Sequence, residues 1–416
     1  MGITVIRRSK VALEPYQLES GPVPEEIYHG IHLPETFHEK EYRLVDLSYI
    51  LYAAQGVREK RWGIRFRTVP SAGATYPLEV YVVARAVEGL SPGIYHYVAE
   101  SVTEHYLERV SDLDAVPELE KLMGKVPCSL IISSIYERTT ARYGHRGIRY
   151  VHLEVGHLLQ NVWLMATLLM SDIEPIPIPQ ELEERLRNIV SGRPHMLIHV
   201  GYGSGVRSIA PKDEFTEIPI LKEVEVLEFE RSSLPLAIAV RERRSVREFS
   251  KGEVLKFSSL CRLLVAGSGY GKYGYRTYIP LNFSEYTCEL FVVVRSVNGI
   301  EPGVYRYNPL RGVLELVRKG AVYAELADAC LGQEWVENAQ VNFVILARKT
   351  SLKRVGTYVA EIEAGQMCQN ICLQATALEL GSVPIGAFYD FEVLRVLGVP
   401  LEVYEPLYVC SVGVRW

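Results

Sequence analysis

The 416-residue chain lacks any run of about 20 apolar residues, so nothing in it reads as a membrane-spanning helix. It lacks a basic excess: Lys and Arg total 45 against 50 Asp and Glu, a formal charge of −5. A nucleic-acid footprint would tilt the other way, so no nucleic-acid partner is expected. The first ten residues hold Arg7, Arg8 and Lys10, but no apolar stretch of signal-peptide type follows. A cytoplasmic location is therefore expected. There is no CxxC pair among the seven cysteines, and seven is odd. Buried reduced thiols are the expectation. Cys368 and Cys372 share a helix face without zinc-type partners nearby in sequence, and His145, His152 and His157 are not spaced i,i+4. No metal is expected.

Two familiar glycine motifs are also missing. Residues 267–274 read GSGYGKYG, but Tyr273 follows Lys272 where a Walker loop needs Ser or Thr. Lys272 itself stands where a dinucleotide GxGxxG needs its last glycine. A turn after a helix is the simpler reading. Residues 201–205, GYGSG, follow a strand but open no helix. No GxSxG nucleophile elbow occurs.

What the chain does have is an ordinary globular balance, 48% hydrophobic and 23% charged, at a length that favours two domains. It also has an internal repeat. Residues 78–97, LEVYVVARAVEGLSPGIYHY, match residues 288–307, CELFVVVRSVNGIEPGVYRY. Residues 156–169, GHLLQNVWLMATLL, match residues 365–378, GQMCQNICLQATAL. The near-constant spacing implies one duplicated domain of about 200 residues, divided as 1–210 and 211–416. Each copy reads as a helix, a β-hairpin with a Gly/Pro turn, a further apolar strand, a long helix with a Gln-Asn pair, and a closing strand. That order predicts an α+β fold rather than a regular βαβ run. Residues 224–229 alternate apolar and acidic side chains and are expected to form a strand between the copies.

Three segments point to chemistry. Residues 236–249, LAIAVRERRSVREF, begin as a helical apolar stripe and end in Arg243, Arg244, Ser245 and Arg247. A compact basic group with a hydroxyl can fork onto phosphate oxygens, although a solvated helix end accounts for it equally well. Residues 70–77, PSAGATYP, hold Pro70, Ser71, Ala72 and Gly73 just before a strand. Small residues there let backbone approach a flat ligand, or simply make a turn. Residues 381–388, GSVPIGAF, place Pro384, Gly386 and Ala387 after the second long helix, where backbone N–H groups could face a buried acceptor.

Taken together, RRSVREF, PSAGATYPLEVYVV, the GxxxQN helix and PIGAF resemble the nitroreductase superfamily. GLSPGIYHY and ERTTARYGHRGIRY resemble its SagB-type, azoline dehydrogenase branch. The resemblance covers nearly the whole chain. It implies an α+β nitroreductase-like fold, here a tandem fusion forming an intramolecular pseudo-dimer without need of a second chain. It implies FMN as cofactor, held where two copies meet, with a reduced nicotinamide (NADH or NADPH) or the substrate as electron donor. It also implies a small-molecule substrate. By resemblance, Arg243, Arg244, Ser245 and Arg247 grip the flavin phosphate and pyrimidine edge, and Arg415 adds a phosphate contact. Pro70, Ser71, Ala72 and Gly73 come from the first copy, and Pro384, Gly386 and Ala387 face flavin N5.

The losses fall on the other possible site. The first copy has no basic triplet near His32 to Phe37, and Arg7-Arg8-Ser9 lies too far upstream. Pro280, Leu281, Asn282 and Phe283 replace the serine loop in the second copy, and Pro177 replaces Gly386 in the first. One working flavin site is therefore expected. The azoline dehydrogenases carry a Lys-Tyr pair where this chain has Arg142-Tyr143. Arginine stays charged and is a poor base, so Arg142 is expected to hold an anionic substrate or to be structural. Tyr143 is a candidate proton donor. The alternatives are a peptide thiazoline or oxazoline dehydrogenase within a modification complex, and a non-catalytic scaffold that holds flavin or a partner.

Overall fold

The computed structural model describes residues 10–209, 211–227, 229–271 and 276–416. Arg7, Arg8 and Ser9, and the 272–274 part of the rejected glycine motif, lie outside the described residues. The chain divides into two compact units: Met1–Leu18 with His32–Ser208, and Glu19–Ile31 with Ile209–Trp416. The sequence division assigns Glu19–Ile31 to the first copy; in the structure this segment belongs with the second.

The first unit is built on a seven-stranded sheet: β1 (Lys10–Ala12), β2 (Leu78–Ala84), β3 (Gly93–Ala99), β4 (His105–Asp112), β5 (Cys128–Ser134), β6 (Asp172–Pro177) and β7 (Arg193–Gly201). The second carries β8 (Lys222–Glu225), β9 (Cys288–Val294), β10 (Gly303–Asn308), β11 (Val313–Lys319), β12 (Val341–Arg348), β13 (Gly381–Ile385) and β14 (Tyr404–Gly413). The strand orders are β1-β4-β3-β2-β5-β7-β6 and β8-β11-β10-β9-β12-β14-β13. Adding seven to each label of the first order gives the second, so the repeat read from sequence is a repeat of topology. Neighbouring strands are antiparallel throughout. The alternating residues 224–229 contribute only as far as Glu225, as the edge strand β8 beside β11.

Alternation along the strands sets the two faces of each sheet. In the first unit Tyr81, Val83, Ile94, Ile131 and Leu197 pack one face against the short helices Pro117–Met123 and Gln180–Leu186. Phe291, Val293, Val304, Val344 and Val409 do the same in the second, against Tyr323–Ala329 and Asp390–Leu397. The helices that matter for the site are α1 (Leu44–Gln55), α2 (Glu137–Tyr143), α3 (Arg146–Leu168), α4 (Leu236–Glu242), α5 (Phe257–Ser268) and α6 (Thr357–Ala377). The two long ones, α3 and α6, are buried along most of their length, so their polar side chains need internal partners. Their polar pairs are used internally. Asn161 donates to the Ala53 carbonyl at 2.7 Å and Asn370 to the Thr277 carbonyl at 3.0 Å. Among the described residues, no helix is long and apolar enough to cross a membrane.

Candidate functional site

In the first unit, Ser71 is extended and the chain then turns through Ala72–Ala74, with Gly73 at φ +59°. Ser71 Oγ accepts the Tyr76 N–H at 2.9 Å, and Thr75 Oγ1 donates to the Ala72 carbonyl at 2.9 Å. Helix α2 lies against this turn. Thr139 Oγ1 meets Thr75 Oγ1 at 2.8 Å, Arg138 donates to the Tyr76 carbonyl at 3.0 Å, and Arg142 reaches the Gly73 carbonyl at 3.4 Å. A Cβ on Gly73 would stand 2.4 Å from the Tyr143 hydroxyl and 2.7 Å from Arg142 Nη1. The absent side chain is thus what lets Arg142 and Tyr143 close on the loop. The structure therefore brings Arg142 and Tyr143 together with Pro70, Ser71, Ala72 and Gly73, two groups that sequence places 70 residues apart. The Arg142 guanidinium lies 5.4 Å from the centre of the Tyr143 ring, a cation–π distance that orders both.

Behind the loop sits a polar group the sequence reading missed. Glu154 of α3 is buried, with Ser71, Gln55 and Arg67 as its polar neighbours. Burial, weakly opposed by Ser71, Gln55 and Arg67, pushes its carboxyl up to about 8. Arg67 is anchored to the Gln55 carbonyl at 2.6 Å, and its pKa is lowered, chiefly by burial. The repeat could have flagged Glu154, because an acid stands two residues before the matched glycine in both copies, Glu154 and Glu363.

In the second unit, α4 ends at Arg243, whose N–H still bonds the Ala239 carbonyl at 2.9 Å. The chain then runs extended along β13 and the C-terminus. Ser245 bridges Ser382, the Val246 N–H donates to the Ser382 carbonyl at 2.9 Å, and Phe249 pairs with Arg415. Gly381 makes this approach possible, because a Cβ there would lie 2.8 Å from Val246 Cγ1. Arg243, Arg244, Ser245, Arg247, Pro384 and Arg415 are thereby gathered in one unit. Arg243 is 4% exposed. Arg415 donates to the Leu380 carbonyl at 3.0 Å. Its pKa is lowered, first by burial and then by the like charge of Arg244. Arg247 lies 5.4 Å from the Trp335 ring centre. Gly386 and Ala387 leave the end of β13, and the Ala387 carbonyl accepts Gln333 at 3.1 Å.

This donor set fits a phosphate. Guanidinium groups that raise one another's energy are relieved by an anion, and their planar forks match phosphate oxygens. Strand register supports the losses read from sequence. Asp172 pairs with Gly201 as Gly381 pairs with Gly413. Counting along from there sets Pro177 opposite the place of Gly386, and proline has no N–H to donate. Phe283 takes φ +54°, near the +59° of Gly73, so a benzyl group occupies the turn of the second copy.

Cys410 joins Cys368 and Cys372, with all three sulfurs within 4.8 Å of one another. Sequence spacing shows no third partner for this pair, because Cys410 comes from β14. Burial pushes Cys368 and Cys410 well above the usual thiol range, which keeps them neutral and packed as small apolar groups.

The family model described as "Nitroreductase family" matches residues 37–203 and 240–414. A Methanocaldococcus jannaschii protein named as a nitroreductase is 50% identical over 130 residues, 30% of this chain and 63% of that protein. The trifolitoxin-processing protein of Rhizobium leguminosarum bv. trifolii is 29% identical over 130 residues, 28% of this chain and 34% of its own. The microcin B17-processing protein of Escherichia coli is 30% identical over 113 residues, 24% and 40% respectively. The chain thus spans less than two thirds of the length of each of these relatives. The crystal structure of an Anabaena variabilis protein described as a nitroreductase superposes with a TM-score of 0.76 at 22% identity, covering 99% of this chain and 94% of that one. That likeness establishes the fold over both units.

Proposed function

Because the chain belongs to the nitroreductase family, we propose that it is an FMN-dependent oxidoreductase binding one flavin per chain. The carrying observation is the one-sided retention of binding features. The arginine cluster with Ser245, Arg415 and the residues 384–387 stands in the second unit. The Pro70–Gly73 turn, backed by Arg142 and Tyr143, stands in the first. Their counterparts are replaced by Phe283 and Pro177. Unselective drift would have scattered its losses over both sets. The proposal therefore requires residues of both units for one flavin.

The roles are those the family resemblance implies, and the charges at these residues are compatible with them. Arg243, Arg244 and Arg415 would hold the phosphate, with Ser245 donating a hydroxyl. Arg247 would place positive charge at the pyrimidine edge, where a reduced flavin accumulates negative charge. The flavin, when bound, supplies hydride acceptance and release. Gly386 and Ala387 would offer backbone N–H groups, which Pro177 cannot. Arg142 would orient an anionic group of a small organic substrate, and Tyr143 would hold or deliver a proton from its hydroxyl. NADH or NADPH is the proposed electron donor.

The test is flavin released by heat and quantified against protein, followed by anaerobic addition of NADH and NADPH. One FMN per chain and bleaching of the yellow colour are expected. Two flavins would overturn the single-site claim, and none would overturn the flavin reading in favour of a partner-binding scaffold. A second reading, oxidation of azoline rings in a modified peptide, is supported by the names of the two toxin-processing relatives. Arg142 counts against it, because arginine cannot serve as the base near neutral pH. Turnover of a thiazoline peptide without response to nicotinamides would favour that second reading.

A further inference from the structure

The duplication supplies an internal control for the three clustered cysteines of the second unit. Cys368 and Cys372 stand one turn apart on one face of α6. Strand β14, which carries Cys410, lies against that helix. The Cys372 and Cys410 sulfurs are 3.8 Å apart, and all three sulfurs lie within 4.8 Å of one another. The GxxxQN alignment matches Cys368 and Cys372 with Leu159 and Trp163 on α3. Counting back from the paired glycines Gly201 and Gly413 matches Cys410 with Ile198 on β7. Those three are buried, none more than 2% exposed. Where packing alone is at stake, this fold thus fills the place with large apolar side chains. The second copy has a thiol at all three positions, although they come from two elements. Packing at one of them does not call for sulfur at the other two. The remaining cysteines, Cys128, Cys261, Cys288 and Cys330, form no such group among the described residues.

The spacing fits a metal held by sulfur. At a metal–sulfur bond of about 2.3 Å, the sulfurs of a planar three-coordinate site stand about 4.0 Å apart. The 3.8 Å pair and the 4.8 Å limit enclose that spacing. Among the described residues, no histidine or carboxylate stands within 4.8 Å of all three sulfurs. Structural zinc takes four ligands, and iron–sulfur clusters take four cysteines. Copper(I) accepts three, and soft thiolates select it. All three cysteines are buried, which shuts out solvent as a fourth ligand.

We propose that Cys368, Cys372 and Cys410 bind one copper(I) ion, three-coordinate and held by sulfur alone, in the core of the second unit. The ion replaces two S–H protons, which leave to solvent, and no electron is transferred. Two thiolates and the ion then carry one net negative charge, and the third sulfur binds as a neutral thiol. A counter-charge is at hand: Arg243, itself 4% exposed, acts electrostatically on the Cys410 sulfur. Charge in a protein core needs such compensation, and release of the third proton would leave a charge without it. Sequence spacing alone gives no metal site here, because the fold brings in the third sulfur. None of the three sulfurs is assigned to the flavin, so the copper and flavin readings stand or fall separately.

The experiment is an anaerobic titration of the full chain with copper(I), supplied as its acetonitrile complex, against bicinchoninate as a coloured competing chelator. The wild type should retain one copper per chain. X-ray absorption of that sample should show sulfur neighbours only, three of them at about 2.3 Å. Loss of an outer partner of a metal ligand costs about ten- to a hundredfold in affinity, so Cys410→Ala, which removes a ligand, should weaken retention by more than about a hundredfold. Cys330→Ala, a buried thiol outside the group, should retain copper as the wild type does. Thermal midpoints without copper check the fold of each variant. Should Cys410→Ala not fold, Cys368→Ala takes its place, and the wild-type sulfur shell decides in either case. No copper retained by the wild type overturns the proposal and leaves the three thiols as packing groups. Nitrogen or oxygen in the shell, unchanged retention in the folded ligand variant, or zinc(II) held in preference as a four-coordinate ion also overturns it. FMN content, measured on the same samples, reports on the flavin reading independently.

Discussion

A methyl group at Gly73 would meet the Tyr143 hydroxyl and the Arg142 guanidinium while the backbone holds φ +59°. Strain and crowding act together there, so Gly73→Ala is expected to cost about 1–2 kcal/mol and to loosen α2 from the turn. Hydrogen exchange of the α2 amides should show faster opening in the variant. Arg243 offers a cleaner test of cofactor binding, because a charge-assisted hydrogen bond contributes about 1.5–3 kcal/mol. Arg243→Ala should therefore weaken FMN roughly ten- to a hundredfold. Arg241→Ala, on the other side of the α4 terminus and ion-paired to Glu242 at 3.0 Å, should change it little; equal effects would show that general charge, not this guanidinium, attracts the flavin. His195 governs part of the acid response. Burial, then His152 and Arg193, hold it down to about 3, so it is neutral in the fold. The unfolded chain takes up that proton below about pH 6.5. The associated stability is thus complete above about pH 6.5 and is lost as pH falls toward 3, by up to about 1.4 kcal/mol per pH unit. Urea midpoints at about pH 7 and about pH 5 should differ less in His195→Gln than in the wild type.

At the scale of elements, α3 and α6 are the clearest expression of the duplication. Each is tied to its neighbour by one asparagine bonding a main-chain carbonyl, Ala53 or Thr277. Asn370→Ala takes a donor from the buried Thr277 carbonyl and should lower stability by about 1–3 kcal/mol, read as a drop in the thermal midpoint; Asn161→Ala leaves the Ala53 carbonyl the Thr68 hydroxyl at 3.0 Å and should lower it less. These helices were legible in sequence because the GxxxQN match is local and recurs in both copies. The hairpins were legible because Gly and Pro mark their turns at equal spacing. The arginine cluster was legible as a compact basic run. The meeting of Arg142 and Tyr143 with Gly73 was not, because it depends on α2 folding back over a turn 70 residues earlier. Glu154 was passed over for a related reason. A single acid in an apolar helix looks like any solvated position until burial is known, and only comparison with Glu363 marks it. Cys410 was separated from Cys368 and Cys372 by a strand crossing that periodicity does not show.

At the scale of the molecule, the boundary near residue 209 is not a simple cut. Glu19–Ile31 belongs to the second unit. Glu25 accepts the Ser232 N–H at 2.9 Å and its hydroxyl at 2.8 Å, Gln374 donates to Ser232 at 2.6 Å, and the Leu236 N–H donates to the Pro22 carbonyl at 2.9 Å. This segment also carries Ile27 and Tyr28, both buried. Residues 209–416 expressed alone should therefore melt below the same piece supplied with a peptide of residues 19–31. The midpoint is expected to rise by more than about 4 °C on adding it, since about 1 kcal/mol moves a domain of this size by about 2–4 °C. Neither half is expected to retain FMN, and some binding should return on mixing. Tight FMN binding by residues 209–416 alone would place every required group in one copy.

The same segment sets an order of events during synthesis. Glu25 and Gln374 are 349 residues apart in the chain. At about 5–20 residues per second, a ribosome needs roughly 20 to 70 s to make the second after the first. For that interval the nascent chain carries Ile27 and Tyr28 without the helix that receives them, while the unit around them has the sequence it needs to fold. A late helix closes a gap opened some 349 residues earlier. A gene broken between the copies would therefore leave the second unit without a segment that it packs and hydrogen-bonds.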